Sequence, residues 1–142
     1  MVVLIDTREQ LPLKFKGAEK VTIKEGDYTT QKLHNIFHIE RKSPQDLYGS
    51  IIQGHMRFIR EVLRAQDKGI ELVIYVETTR KKFIAKKWPQ GEKRKAPSST
   101  LDKIVSTISR RYDLEFVWCN SRRHMTQSVL KRFRKEERKL KK

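Results

Sequence analysis

The run Leu72-Val73-Ile74-Tyr75-Val76 constrains the fold most strongly. Side chains on a strand alternate between two faces, so a strand that is apolar at nearly every position has to be covered on both. This predicts a strand near the centre of a sheet with helices above and below it. Upstream, Val2 to Ile5 reads as a short buried strand. A polar loop, Asp6-Thr7-Arg8-Glu9-Gln10, leaves it, and Pro12 discourages regular structure beyond. Val21 to Lys24 reads as a second strand. Gly26 permits a turn or bulge, and Asp27 to Gln31 continues extended. His34-Asn35 suits a hairpin turn, and Ile36 to Lys42 forms the third strand.

Ser43-Pro44-Gln45-Asp46 opens a helix. Ser43 is a good cap, Pro44 fits the first helical position, and Asp46 lies three residues past the cap. Leu47, Ile51, Phe58, Ile59, Val62 and Leu63 form a helical stripe to about Gln66. Gly54 is either tolerated inside it, at about 1 kcal/mol relative to Ala, or marks a bend. Lys68-Gly69 ends the helix. Ser99 with Asp102 announces a helix from Thr100 to Tyr112. Leu114 to Trp118 is a strand, and Ser121 caps a last helix carrying Met125, Val129 and Phe133. The order predicts one α/β domain over residues 1–142, with a mixed central sheet flanked by helices. The first three strands are expected to join by hairpin-like links.

The chemistry concentrates in Gly26-Asp27 and Glu40-Arg41-Lys42. The residues between are enough for a strand, a turn and the start of a second strand, so antiparallel pairing brings Asp27 to Glu40. Glu40 and Lys42 then share a face. Two carboxylates and an ammonium suit Mg²⁺ or Mn²⁺, which prefer oxygen ligands. Such a site can activate water and offset charge developing on a phosphoryl group. Plainer readings stand beside this one. Asp27 after Gly26 also reads as a turn residue, Asp46 as a cap, Arg8 with Glu9 as a surface ion pair, and Glu40 with Lys42 as a solvated face. Arg41 faces the other way and is expected to pair with Asp6 or Asp46. His38 and His55 are further residues within reach of such a site.

Net charge is +16, from 33 Lys plus Arg against 17 Asp plus Glu. That excess favours a polyanionic partner, most simply nucleic acid, although RNA or an anionic membrane surface would also satisfy it. No apolar run approaches the roughly 20 residues of a membrane span, and no signal peptide is expected. Cys119 is the only cysteine, so no internal disulfide forms. Residues 80–97 read as a mobile basic loop, and 134–142 as a basic tail that frays. Lys81, Lys82, Lys86, Lys87 and Arg94, with Arg122 and Arg123 further on, are candidate phosphate contacts. Trp88 either stacks on an unpaired base or packs the loop onto the core.

Ile5-Asp6-Thr7-Arg8-Glu9, Gly26-Asp27-Tyr28 and Glu40-Arg41-Lys42-Ser43-Pro44-Gln45-Asp46-Leu47 resemble the XPF-type structure-specific endonuclease family. The resemblance is clearest over residues 2 to 78 and thinner to about Phe133. It implies a restriction-endonuclease-like core and Mg²⁺- or Mn²⁺-dependent cleavage of branched, flapped or forked DNA in repair, recombination or replication. By motif, Asp6, Glu9, Asp27 and Glu40 form the acidic site, with Asp6, Asp27 and Glu40 on the metal. Lys42 acts on the water or phosphate, and Arg8, Arg41 and Asp46 support it. The resemblance further implies a homodimer inside the cell, in cytoplasm, nucleoid or nucleus, with a helicase or clamp as a further partner and no membrane. The helicase domain and helix-hairpin-helix repeats of many relatives are not in this sequence. A non-catalytic DNA-binding scaffold and a viral or mobile-element junction resolvase are the alternatives.

Overall fold

The computed structural model describes residues 1–141. The chain runs through β1 (Val3–Asp6), β2 (Glu19–Val21), β3 (Tyr28–Thr30), β4 (Phe37–Lys42), α1 (Pro44–Ile51) and α2 (His55–Asp67). It continues through β5 (Glu71–Val76), α3 (Arg80–Ile84), α4 (Ser98–Tyr112), β6 (Phe116–Trp118) and α5 (Arg122–Leu140). The strands make one six-stranded sheet in the order β2-β1-β3-β4-β5-β6. β3 is antiparallel to both β1 and β4, and the remaining pairs are parallel.

β5 has the two covered faces its composition demanded. Leu72, Ile74 and Val76 enter a core with Leu47, Val62, Leu101 and Val105, from α1, α2 and α4. Val73 and Tyr75 enter a second core with Val3, Ile39, Met125, Val129 and Phe133. Thus α5 covers one face and the other helices cover the opposite one. No helix among the described residues is long and apolar enough to cross a membrane.

Several elements differ from the sequence reading. The second strand is Glu19–Val21, and it runs parallel to β1. The polar loop after Asp6 is therefore a crossing, not a hairpin. The long helix breaks in two, because Gly54 leaves helical geometry and its N–H turns back to Gly49 O at 2.7 Å. The bend sets α2 over the face of the sheet, with Phe58 against Lys42 of β4.

Residues 80–97, expected as a mobile loop, are built on two buried rings. Phe83 and Trp88 stack at 6.1 Å, and the indole N–H donates to Phe83 O at 3.2 Å. α3 and a 3-10 turn at Gly91–Lys93 wrap this anchor. Five lysines and arginines between residues 80 and 87 masked the spacing of the two aromatics. The expected basic tail is helical to Leu140, held by buried Phe133 and by Thr30 Oγ1 donating to Glu137 Oε2 at 2.6 Å. Lys142 lies outside the described residues. α4 starts at Ser98 rather than Thr100, with Pro97 in the cap position, while Ser43 and Ser121 cap as read.

Gly26 sets the entry to β3. Its φ is +89°, and an added Cβ would lie 3.1 Å from both Ile39 O and Leu72 Cδ1. A side chain there incurs left-handed strain and crowds the backbone of β4. Gly26→Ala is expected to lower stability by about 2 kcal/mol in urea unfolding. An unchanged unfolding midpoint would show that the turn is not conformationally restricted.

Candidate active site

The left-handed turn at Gly26 delivers Asp27 between β1 and β4. Asp27 N–H donates to Ile39 O, Asp27 O accepts from Asp6 N–H, and Asp27 Oδ2 accepts from Arg41 N–H, each at 2.8 Å. The Asp27 carboxylate is thereby held beside Glu40, as the antiparallel pairing predicted. Glu40 is buried, and Lys42 Nζ stands 3.1 Å from its Oε2. Lys42 also lies over the Phe58 ring of α2, 5.2 Å from the centroid. One turn on from Phe58 on that helix, the Glu61 carboxyl stands beside that of Glu40.

Electrostatics follow from this crowding. Burial, then the charges of Glu40 and Glu9, push the Asp27 carboxyl up to about 8, against the opposing Arg41 amide and Lys42. Burial, then Glu40, push Glu61 up to about 9. Burial alone would lower the Lys42 ammonium, but Glu40 outweighs it and raises it above its ordinary value. Lys42 therefore stands in the site as a charged donor rather than as a base.

Arg41 projects from the other face of β4, and there the expectation is corrected. Its partners are Glu9 (Nε to Oε2, 2.9 Å) and Glu77 (2.6 Å), not Asp6 or Asp46. Asp46 sits on α1, on the opposite side of the sheet, whereas Glu77 follows the parallel neighbour β5. Burial alone would lower the Arg41 guanidinium, but its bonds to Glu9 and Glu77 raise it. Arg41 also donates to Gln10 O, so it fastens the loop after β1. Arg122 reinforces this tie through Glu77 at 3.2 Å and through Leu11 O.

Asp6 is occupied by protein donors. Oδ1 accepts from Ile23 N–H at 2.9 Å and Oδ2 accepts from Arg8 Nε at 2.8 Å. Arg8 in turn donates to Ile23 O at 2.6 Å. The pair pins the chain between β2 and β3 against β1, which places Asp6 behind Asp27 as a support. Asp46 is exposed on the first turn of α1, and its N–H donates to Ser43 Oγ at 3.1 Å.

Asp27, Glu40 and Glu61 are the residues that could hold a hard divalent ion. Among the described residues no three His, Cys, Asp or Glu groups already surround one point as ligands. Asp27, Glu40 and Glu61 nevertheless supply carboxylate oxygens, and the repulsion among them is what a divalent cation would offset. A groove of about 460 Å³ opens beside them between α1 and α2, lined by Lys42, Asp46, Ser50, Arg57, Glu61 and Arg64 among others.

The expected phosphate contacts divide. Lys81, Lys82, Lys87 and Arg123 are exposed. Lys86 instead donates to Arg94 O at 3.1 Å, and Arg94 packs over the Tyr48 ring. Trp88 is 7% exposed, so the core-packing alternative holds and its ring is closed to a nucleic-acid base. His38 is buried, with Nδ1 2.6 Å from Glu25 O and Nε2 accepting from Asn35 N–H, so both ring nitrogens serve the fold. His55 Nδ1 lies 3.3 Å from Ile51 O at the helix break.

Sequence reasoning missed Glu61 and Glu77. Glu61 had a signal: it falls among Phe58, Val62 and Ala65 on the buried stripe of α2, where an acid requires a reason. Glu77 had none beyond ending the central strand.

A pH dependence follows. Both carboxyls rise above their ordinary 3.8 and 4.5 on folding. Their stability contribution is therefore complete below those values and is lost as pH rises through about 8 and about 9. In chelator, the melting temperature is expected to fall across that window, and Asp27→Asn or Glu61→Gln should flatten the fall. Identical pH profiles in wild type and both variants would contradict the crowding of these acids with Glu40.

The comparisons with known proteins bear on the fold and the family. A family model, the ERCC4 domain, matches residues 5–133. The structure of XPF from Aeropyrum pernix in complex with DNA superposes with a TM-score of 0.70 at 17% identity, over 96% of this chain and 65% of that one. A second structure, XPF from Aeropyrum pernix, gives 0.72 at 18% identity, over 99% and 67%. This chain thus spans about two thirds of the length of those proteins. No curated protein sequence matched it. The six-stranded mixed sheet with helices on both faces is the restriction-endonuclease-like α/β fold that the motifs implied. With a family model matching residues 5–133 and the fold of XPF, the chain belongs to the ERCC4 domain family of XPF-type nucleases.

Proposed function

We propose that this protein is a divalent-cation-dependent endonuclease that hydrolyses DNA phosphodiesters near branches, flaps, forks or junctions. One observation carries the reading: half-buried Asp27 and Glu61 flank buried Glu40 around the Lys42 ammonium at the mouth of a groove. Acids perturbed by burial and by specific neighbouring charges in a cleft are candidates for a functional site. The family supports nuclease chemistry, and the net charge of +16 supports a polyanionic substrate.

Asp27 and Glu40 would hold Mg²⁺ or Mn²⁺, with Glu61 beside them. The ion would supply Lewis acidity toward a phosphoryl oxygen and an activated water. The chain's own residues do the positioning. Arg41 N–H fixes the rotamer of Asp27 through Oδ2. Lys42, kept charged by Glu40, donates toward negative charge that develops on the phosphoryl group. Phe58 limits water on one side of that ammonium. Glu9, Arg41 and Glu77 hold the loop after β1 away from the groove.

Lys42 lies 3.1 Å from Glu40, which favours the catalytic reading over a scaffold, since a retired site has no need to hold a half-buried ammonium among carboxylates. The resemblance also supports a homodimer acting on intracellular DNA.

The test is cleavage of end-labelled flap, fork, four-way-junction and duplex DNA with Mg²⁺, Mn²⁺ or chelator. Wild type should nick near branches only with metal. Asp27→Ala and Glu40→Gln should lose at least about 10²-fold in rate, and Lys42→Ala about 10²–10³-fold. Full cleavage in chelator or in Asp27→Ala would overturn the proposal. Tight binding without cleavage under every metal condition would favour the scaffold.

A further inference from the structure

We infer that Arg57 and Arg64 of α2 bind the backbone phosphates of the DNA strand approaching the acid site, and that the groove between α1 and α2 is that strand's path. This rests on the nuclease reading and says where the strand runs.

The argument begins with spacing. Arg57, Glu61 and Arg64 stand at i, i+4 and i+7, so they share one face of α2. That spacing would let Glu61 pair with either arginine. Glu61 turns to Glu40 instead. Among the described residues neither arginine has a carboxylate within the 4.0 Å of a salt bridge, and both are exposed. Arg8, Arg41, Arg80, Arg122 and Arg132 are each paired with an acid, and of the arginines that are not, such as Arg60 and Arg123, only Arg57 and Arg64 line the groove beside the acid site.

The two free guanidinium groups line the groove that ends at Lys42. Gly49, Ser50 and Gly54 form part of its lining, so little side-chain bulk blocks a chain entering there. Seven residues of helix span about 10.5 Å, roughly three nucleotides of a stacked strand at about 3.4 Å each. Guanidinium forks suit phosphate oxygens, which accept two parallel hydrogen bonds. Asp46, also lining the groove, is the one carboxylate there not turned to Glu40, and it would disfavour phosphate on the α1 side. The strand is thereby set against α2. The basic segment of residues 80–95 is a weaker path, because Lys86, Trp88 and Arg94 are committed to internal contacts.

The experiment measures binding of a fluorescein-labelled flap DNA by the full chain, in chelator, over a range of salt concentrations. Wild type is compared with the double variant Arg57→Ala/Arg64→Ala and the control Lys81→Ala/Lys82→Ala, each checked for an unchanged melting temperature. The arginine variant should lose about 1.4–1.8 from the slope of log affinity against log salt, as two lost phosphate contacts require. Its KM for cleavage should rise more than its kcat falls. The control should keep most of the wild-type slope. An arginine variant with wild-type slope and affinity would overturn the inference while leaving the nuclease reading standing, as would a control that takes the whole loss. A wild-type protein that neither binds nor cuts DNA would overturn both.

Discussion

Three hydrogen bonds on Asp27 hold the site together. Its amide reaches Ile39 O, its carbonyl takes Asp6 N–H, and its carboxylate takes Arg41 N–H. They join β1, β3 and β4 at the end of the sheet where every motif residue stands. Gly26 makes the arrangement possible, since its positive φ lets the chain turn in under β4 without a side chain striking Ile39 O. Once Asp27 is placed, alternation along β4 does the rest. Glu40 and Lys42 face α2, while Arg41 faces Glu9 and Glu77. One strand thus serves the chemistry with one face and braces the surrounding loops with the other.

The parts of this structure legible in the sequence were those governed by short-range rules. The alternation of β5, the Ser43 and Ser121 caps and the Asp27–Glu40 pairing all follow from local geometry. What escaped depended on contacts distant in the chain. β2 pairs parallel to β1, which nothing in Glu19–Val21 announces. Arg41 finds Glu77 because β5 lies parallel beside β4, a partner 36 residues away. The basic composition of residues 80–97 suggested solvent, but Phe83 and Trp88 decided the outcome, since two stacked buried rings outweigh the solvation of lysines that can still reach water. Glu61 was signalled by its place among the apolar residues of α2, but its partner Glu40 lies on β4, distant in the chain, and their meeting depends on the bend at Gly54.

The site is built against the stability of the fold. Glu40 is buried and Asp27 and Glu61 are half-buried beside it, close enough that their charged forms would repel one another beyond what one ammonium offsets. The two cores on either face of β5 absorb that cost. The arrangement becomes intelligible if a cation completes it, and if the remaining positive charge of α2 serves a second anion, the substrate backbone. Carboxylates at the end of β4 and arginines on the adjacent helix then divide the work between ion and phosphate.

The most direct test of this account is calorimetric titration of Mn²⁺ into the protein without DNA, comparing wild type with Asp27→Asn and Glu40→Gln. The account predicts saturable binding in wild type that is lost or strongly weakened in each variant, with both variants folded. Equal Mn²⁺ binding by all three proteins, or none by wild type, would contradict the claim that this acid cluster is a cation site.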